Sequence, residues 1–184
     1  MTTTEIVILV IAVAVASAAA TFIIMRSRSQ KLRARFGPEY DRTVAETGNR
    51  YKAEARLEKL EKRVSKYPIR PLNPAERNRF LDAWRSVQAR FVDEPGAALN
   101  QADQLAGEVM AARGYPVADF DQRASELAVD HAPVVQNYRA GHAIAVQQAQ
   151  GRATTEDLRQ AMIYYRSLFE DLTGAAAQLQ TRSA

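Results

Sequence analysis

The stretch IVILVIAVAVASAAATFIIM, residues 6–25, holds no charge, and Arg26, Arg28, Lys31, Arg33 and Arg35 follow it directly. At about 1.5 Å per residue, a helix of that length spans roughly 30 Å, the thickness of a bilayer's hydrocarbon core. The run predicts a transmembrane anchor over residues 1–25, and the rest of the chain reads as what the anchor carries. A cleaved secretory signal is the alternative, because Ala16-Ser17-Ala18 and Ala18-Ala19-Ala20 look like small-residue cleavage sites. The flanks favour the anchor. A secretory signal has a positive leader and a shorter apolar core, whereas here the leading residues are Met-Thr-Thr-Thr-Glu and the positive charge lies on the far side. Basic residues beside a span stay in the cytoplasm, which predicts a single-pass cell-membrane protein with Met1 outside and the remainder inside.

The five basic residues are the candidate membrane-surface contacts. Each Lys or Arg beside an anionic leaflet contributes about 1 kcal/mol within a Debye length, so a bilayer with anionic headgroups is the first partner expected. The formal net charge of +4 conceals an asymmetry. Residues 26–70 carry fourteen Lys or Arg against six Asp or Glu, a net of +8, while residues 71–184 carry eleven against fourteen, a net of −3. The absence of cysteine excludes disulfides, thiolate metal sites and a cysteine nucleophile, and it fits a reducing compartment.

Proline divides the chain beyond the anchor. Pro68, Pro71 and Pro74 cluster in YPIRPLNP, an extended stretch that separates a basic helical stalk, residues 26–70, from a helical domain, residues 71–173. Residues 174–184 are small and polar and read as a flexible tail. In the stalk, Phe36-Gly37-Pro38-Glu39 marks a helix stop followed by a new start, and Gly48-Asn49 marks a second break. Ala53, Leu57, Leu60, Val64 and Tyr67 then recur at 4-3-4-3 spacing on one helical face. That seam is two repeats long, too short for a sustained coiled coil, which favours a surface-packed amphipathic helix over self-association.

The domain reads as five capped amphipathic helices with no period-two segment, hence all-α: an N-terminal transmembrane helix, a helical stalk and a compact C-terminal bundle. Asn73-Pro74-Ala75-Glu76 is a capping-box start followed by Phe80, Trp84, Val87 and Phe91 on one stripe. Asp93-Glu94-Pro95 starts a helix with Leu99, Ala102, Leu105, Ala106, Val109 and Met110 inward and Gly114 as its stop. Asp119 caps a short helix carrying Phe120, Ala124 and Leu127. Asp130 opens a longer one with Val134, Val135, Tyr138, Ala145 and Val146 inward, ended by Gly151. Thr154-Thr155-Glu156-Asp157 starts the last, with Leu158, Met162, Tyr165, Phe169 and Leu172 inward.

The strings LRARFGPEYDRTV, QARFVDEP, VMAARGYPVADFDQRASELAVDH, VVQNYRAGHAI and EDLRQAMIYYRSLF resemble a family of uncharacterised bacterial proteins with an N-terminal membrane anchor and a helical C-terminal region. The resemblance covers most of the chain beyond the anchor and implies that architecture. It implies no activity, cofactor or catalytic residue. Where it leads one to expect Asp-His-Pro, the chain has Asp130-His131-Ala132-Pro133, which bears on where the fourth domain helix begins.

No enzymatic motif stands out. A glycine-rich phosphate loop, a nucleophile elbow and a zinc-binding His-Glu-x-x-His are all absent from the sequence. His131, Val135, Tyr138 and His142 share a helical face, yet the two imidazoles lie roughly 16 Å apart along one helix, too far to share an ion. The pairs Asp119 with Asp121 and Asp93 with Glu94 fall at helix starts, where carboxylates cap backbone N–H groups. Gly107 and Gly141 lie inside helices at a cost of about 1 kcal/mol each relative to alanine, which either close helix packing offsets or the fold simply tolerates. Tyr115 with Asp121-Gln122-Arg123 is a candidate partner-facing patch. Nucleic acid is not an expected partner: Tyr40, Tyr51 and Tyr67 could stack on bases, but acidic residues interrupt the basic run.

These readings lead to a non-enzymatic, membrane-tethered interaction or scaffold module without a cofactor or metal, whose domain meets a protein partner or a second copy of the chain. The rival expectation is an enzyme or ligand binder with a site drawn from Arg123, Asp130, His131, Tyr138 and His142.

Overall fold

The computed structural model describes residues 3–116 and 118–174. Among them are seven α-helices and no strand: α1 Thr3–Phe36, α2 Pro38–Thr47, α3 Arg50–Val64, α4 Pro74–Arg90, α5 Pro95–Ala112, α6 Phe120–Ala149 and α7 Thr155–Thr173. The tail expected to be flexible lies, after Gly174, outside the described residues.

Local chemistry sets most of the helix ends. Gly37 and Gly48 take positive φ where α1 and α2 stop, and Pro38 sits in the first turn of α2. The Asn49 side chain accepts from Lys52 N–H to start α3. Asn73 with Glu76 and Thr154 with Asp157 each form a reciprocal capping box at the head of α4 and α7. Glu94 departs from the expectation: it caps nothing with its side chain and instead pairs with Arg90 at 2.5 Å.

α6 is two helical segments that meet at His131, whose backbone is not helical (φ −128°, ψ 34°), two residues before Pro133. The short helix capped by Asp119 and the longer one expected to open at Asp130 are therefore both present, joined at a kink one residue past Asp130. A proline inside a helix removes the N–H that would reach the carbonyl four residues back, here that of Val129. Arg35 supplies the missing donor, with Nε 3.1 Å from the Val129 carbonyl oxygen and Nη2 3.3 Å from Asp130. The end of α1 thus fastens the kink. Val146, expected inside, is 44% exposed.

The core follows the apolar stripes. Phe80, Trp84 and Val87 of α4, seven residues of α5, and Leu158, Tyr165, Leu168 and Phe169 of α7 are buried, with Trp84 stacked on Phe169 at 5.0 Å. α6 is central: α7 and α5 cover one side of it, and α1, α2 and α3 the other. Gly141 lets α7 approach, since a Cβ there would lie 3.1 Å from the Tyr165 ring. At Gly107 a Cβ would meet only the tip of the Arg123 side chain, at 2.7 Å.

The helices of residues 26–70 pack against α6. Leu32, Phe36, Tyr40, Ala53, Leu57 and Val64 are buried, so the 4-3-4-3 face of α3 is covered from within the chain. Three buried carboxylates join the layers. Glu39 of α2 meets Arg139 of α6 at 2.7 Å, Glu126 of α6 accepts from Tyr67 Oη at 2.7 Å, and Glu54 of α3 accepts from Ser29 of α1 at 2.6 Å and Tyr40 of α2 at 2.8 Å.

The proline-rich connector Tyr67 to Pro74 lies on the end of α5. Arg70 N–H donates to the Arg113 carbonyl at 2.9 Å, and a Cβ on Gly114 would stand 2.5 Å from the Pro68 carbonyl oxygen. Gly114 has φ +97°, so Gly114→Ala adds backbone strain to a collision with main chain. Its expected cost is about 1–3 kcal/mol, read as a lower urea midpoint. Gly107→Ala should stay within about 1 kcal/mol of the parent, because a movable guanidinium yields and helix propensity improves.

Candidate functional site

Among the described residues, the apolar part of α1 from Ile11 onward is exposed. Ile11, Val13, Val15, Phe22, Ile23 and Ile24 are each more than half exposed, a continuous apolar surface that a soluble domain would bury. Residues Ile11–Phe36 are long and apolar enough to cross a membrane. That single helix near the N-terminus fits a single-pass anchor, and a signal sequence has the same character.

α1 does not stop where the apolar run stops. It continues for roughly 16 Å beyond Met25 at helical rise and delivers Leu32 (5% exposed) and Phe36 (0%) to the core. α2 turns back along this extension, with Arg33 Nη2 2.7 Å from Asp41. The α2–α3 turn therefore descends beside Phe22 and Met25, and α3 climbs away again, past Ser29 at Glu54 and past Arg35 at Glu61 (2.5 Å). Arg50 and Tyr51, the first residues of α3, stand level with the end of the apolar run. Tyr51 is 67% exposed there, the level at which aromatic side chains with a polar tip border a bilayer.

The structure separates the five candidate surface contacts. Arg28 pairs with Glu58, Arg33 with Asp41, and Arg35 with Glu61 and Asp130. Arg26 and Lys31 are exposed and make no ion pair among the described residues. All six carboxylates of residues 26–70 are paired, so the remaining positive charge sits on Arg26, Lys31, Lys52, Lys59, Lys62 and Lys66. Sequence reading missed Arg50 and Tyr51, because only folding brings the α2–α3 turn down to α1.

Between α1 and the start of α3 lies a groove of about 550 Å³ bordered by Phe22, Met25, Arg26, Arg28, Arg50 and Tyr51. Its one carboxylate, Glu54, is 8% exposed and already accepts from Ser29, Tyr40 and Arg50. Burial opposes ionisation of Glu54, but the hydrogen bonds from Ser29, Arg50 and Tyr40 outweigh it and hold its pKa below the ordinary 4.5. A carboxyl depressed by folding stabilises the fold above its unfolded pKa, and that contribution disappears as pH falls through the folded value. The urea midpoint should fall on acidification below about pH 4.5, and Glu54→Gln, already less stable at neutral pH, should fall less steeply.

The residues of the rival enzyme site do not converge. Arg123, Tyr138 and His142 gather with Asp103 and Tyr165: Tyr165 Oη donates to Asp103 at 2.8 Å, and His142 Nδ1 stands 3.6 Å from the same carboxylate. Phe120 stacks on His142 at 3.6 Å. Tyr138 and Tyr165 are at most 1% exposed, and burial raises both phenol pKa values, that of Tyr138 to about 12. Asp130 and His131 lie elsewhere. Asp130 faces Arg35, while His131 bonds Asp171 and stands 3.1 Å from Arg113, whose other contact is the Leu172 carbonyl. His131 holds the kink to α7, and His142 packs under Phe120. Among the described residues no group of His, Asp and Glu is arranged to hold a metal ion.

Of the residues expected to form a partner-facing patch, Tyr115 is buried at 3% exposure, Gln122 is half-buried and donates to Glu126 at 3.0 Å, and Asp121 pairs with Arg139 at 3.1 Å while its side chain stays 80% exposed. Tyr40 and Tyr67 are likewise bonded inward, to Glu54 and Glu126. No family model matches the chain, and no curated protein or solved structure matches it either.

Proposed function

We propose that this chain is a single-pass membrane protein whose anchor remains in place and whose helical lobe, on the cytoplasmic face, acts by contact with another protein rather than by catalysis. One observation carries the reading: α1 is an unbroken helix from the exposed apolar run into the core, where Phe36 is fully buried. A lobe hung on a flexible tether would be free to turn, whereas this lobe meets the bilayer in one orientation. The α2–α3 turn rests at the headgroups, and the apolar side chains left uncovered on the lobe include Val92, just past α4, Val146 of α6 and Ile163 of α7 (82%, 44% and 41% exposed). Those side chains offer a protein partner a surface.

The test combines three measurements on intact cells. The mature chain should keep the mass of its full N-terminus and resist alkaline carbonate extraction. External protease should leave the lobe intact. A photocrosslinker at Val92 should capture a discrete protein, or a second copy of the chain, and Ile163→Asp should abolish that capture. A mature chain lacking its first two dozen residues, or digestion of the lobe from outside unbroken cells, would refute the reading.

A further inference from the structure

We propose that the groove between α1 and α3 binds one anionic phospholipid, with its phosphate between Arg26 and Arg50 and an acyl chain along Phe22 and Met25. This rests on the membrane reading above and goes beyond it, from general attraction to a defined site.

The lining is ordered from apolar to cationic along α1. Phe22 and Met25 belong to the run that faces lipid, and one turn further the groove gains Arg26, Gln30, Arg50 and Tyr51. The lining carboxylate, Glu54, is saturated by Ser29, Tyr40 and the Nε of Arg50, and the two Nη groups of Arg50 make no bond among the described residues. The Arg28 guanidinium is held by Glu58, so Arg28 serves as wall. Arg26, Gln30 and Tyr51 have no hydrogen-bond partner among the described residues and can donate to an incoming group. A site of donors and positive charge calls for an anion, and the apolar floor calls for an anion with a hydrocarbon tail. A free inorganic anion would use only half of this lining. The bilayer also delivers its own lipids at the height where the groove opens, since the long Arg26 side chain reaches headgroup level from the end of the span.

The experiment uses the full chain in bilayers of mixed phosphatidylglycerol and phosphatidylcholine, released into a mass spectrometer under non-denaturing conditions. One phosphatidylglycerol per chain should be retained in preference to phosphatidylcholine. Arg26→Gln disturbs no intramolecular bond and should lower that retention about fivefold, the effect of one basic side chain beside an anionic surface. Ala55→Phe fills the groove from an exposed position without altering charge and should abolish retention, while Arg33→Gln, on the pair with Asp41, should leave it unchanged.

Equal retention of both lipids, or undiminished retention in Ala55→Phe, would overturn the site in favour of diffuse surface attraction. Displacement of the lipid by inorganic phosphate alone would overturn it in favour of a simple anion site. A carbonate-resistant chain that retains no lipid defeats the site only. A chain stripped from bilayers by carbonate defeats the membrane reading and the site together.

Discussion

Phe36→Ala should destabilise the lobe by about 3–5 kcal/mol, the usual cost of emptying a buried aromatic position. Phe36 is fully buried at the last turn of α1, where that helix meets α6 beside the kink. For a domain of this size the loss corresponds to roughly 10 °C in melting temperature, measurable in detergent or nanodiscs by circular dichroism. The mutation tests more than packing. Phe36 and Leu32 are the large apolar side chains by which α1 enters the core, so their loss should let the lobe reorient relative to the apolar half of that helix. Distances between spin labels on α1 and α7, sharp in the parent chain, should broaden in Phe36→Ala under conditions where α4 to α7 remain folded. An unchanged, narrow distribution would show that the anchor is held by the surface ion pairs of Arg28 and Arg35 instead.

Arg139→Ala is expected to cost a similar amount for a different reason. Its guanidinium donates to Glu39 from Nη2 at 2.7 Å and Nε at 3.2 Å, and also reaches Ser125 and Asp121. Glu39 is 5% exposed, and without Arg139 it keeps only Arg42 at 3.7 Å. Breaking one side of a buried pair strands the other charge, which typically costs about 3–5 kcal/mol. Arg33→Ala breaks a pair that is well over half exposed on both sides and should cost less than about 1 kcal/mol. Adding Glu39→Gln to Arg139→Ala should recover part of the loss, with a coupling of about 1–3 kcal/mol in a double-mutant cycle. Additive losses would mean that Glu39 is solvated despite its burial. The pair joins α2 to α6, so urea unfolding of Arg139→Ala should release α2 and α3 before α5 and α7.

Helix positions were legible because their signals act within a few residues. Asn73 with Glu76 and Thr154 with Asp157 are three residues apart, and Pro38, Gly48 and Gly151 act through their own backbone angles. Most apolar stripes were legible for the same reason, since the helical repeat alone puts Leu99, Ala102, Leu105, Ala106, Val109 and Met110 on one side of α5. Misreadings arose where a distant group decided the outcome. The break in α6 was legible to within one residue of Asp130, but that the two segments stay joined across it was not, because the donor that replaces the one lost to Pro133 comes from Arg35, far back in the chain. Tyr115 looked like a surface residue, because nothing nearby in sequence announces what covers it.

The charges divide in the same way. Their number and sign, and the apolar run beside them, belong to the sequence alone, and they determine that a helix able to span a bilayer leads into a basic segment of an all-α chain. Which charges remain available was decided by the tertiary structure, through Glu58, Asp41 and Glu61 closing on Arg28, Arg33 and Arg35 while Arg26 stays unpaired and Arg50 arrives from the α2–α3 turn. Helix formation depends on contacts three or four residues apart, which a linear reading can trace. An ion pair or a groove depends on where separate helices are brought to rest, and that is settled by packing across the whole lobe.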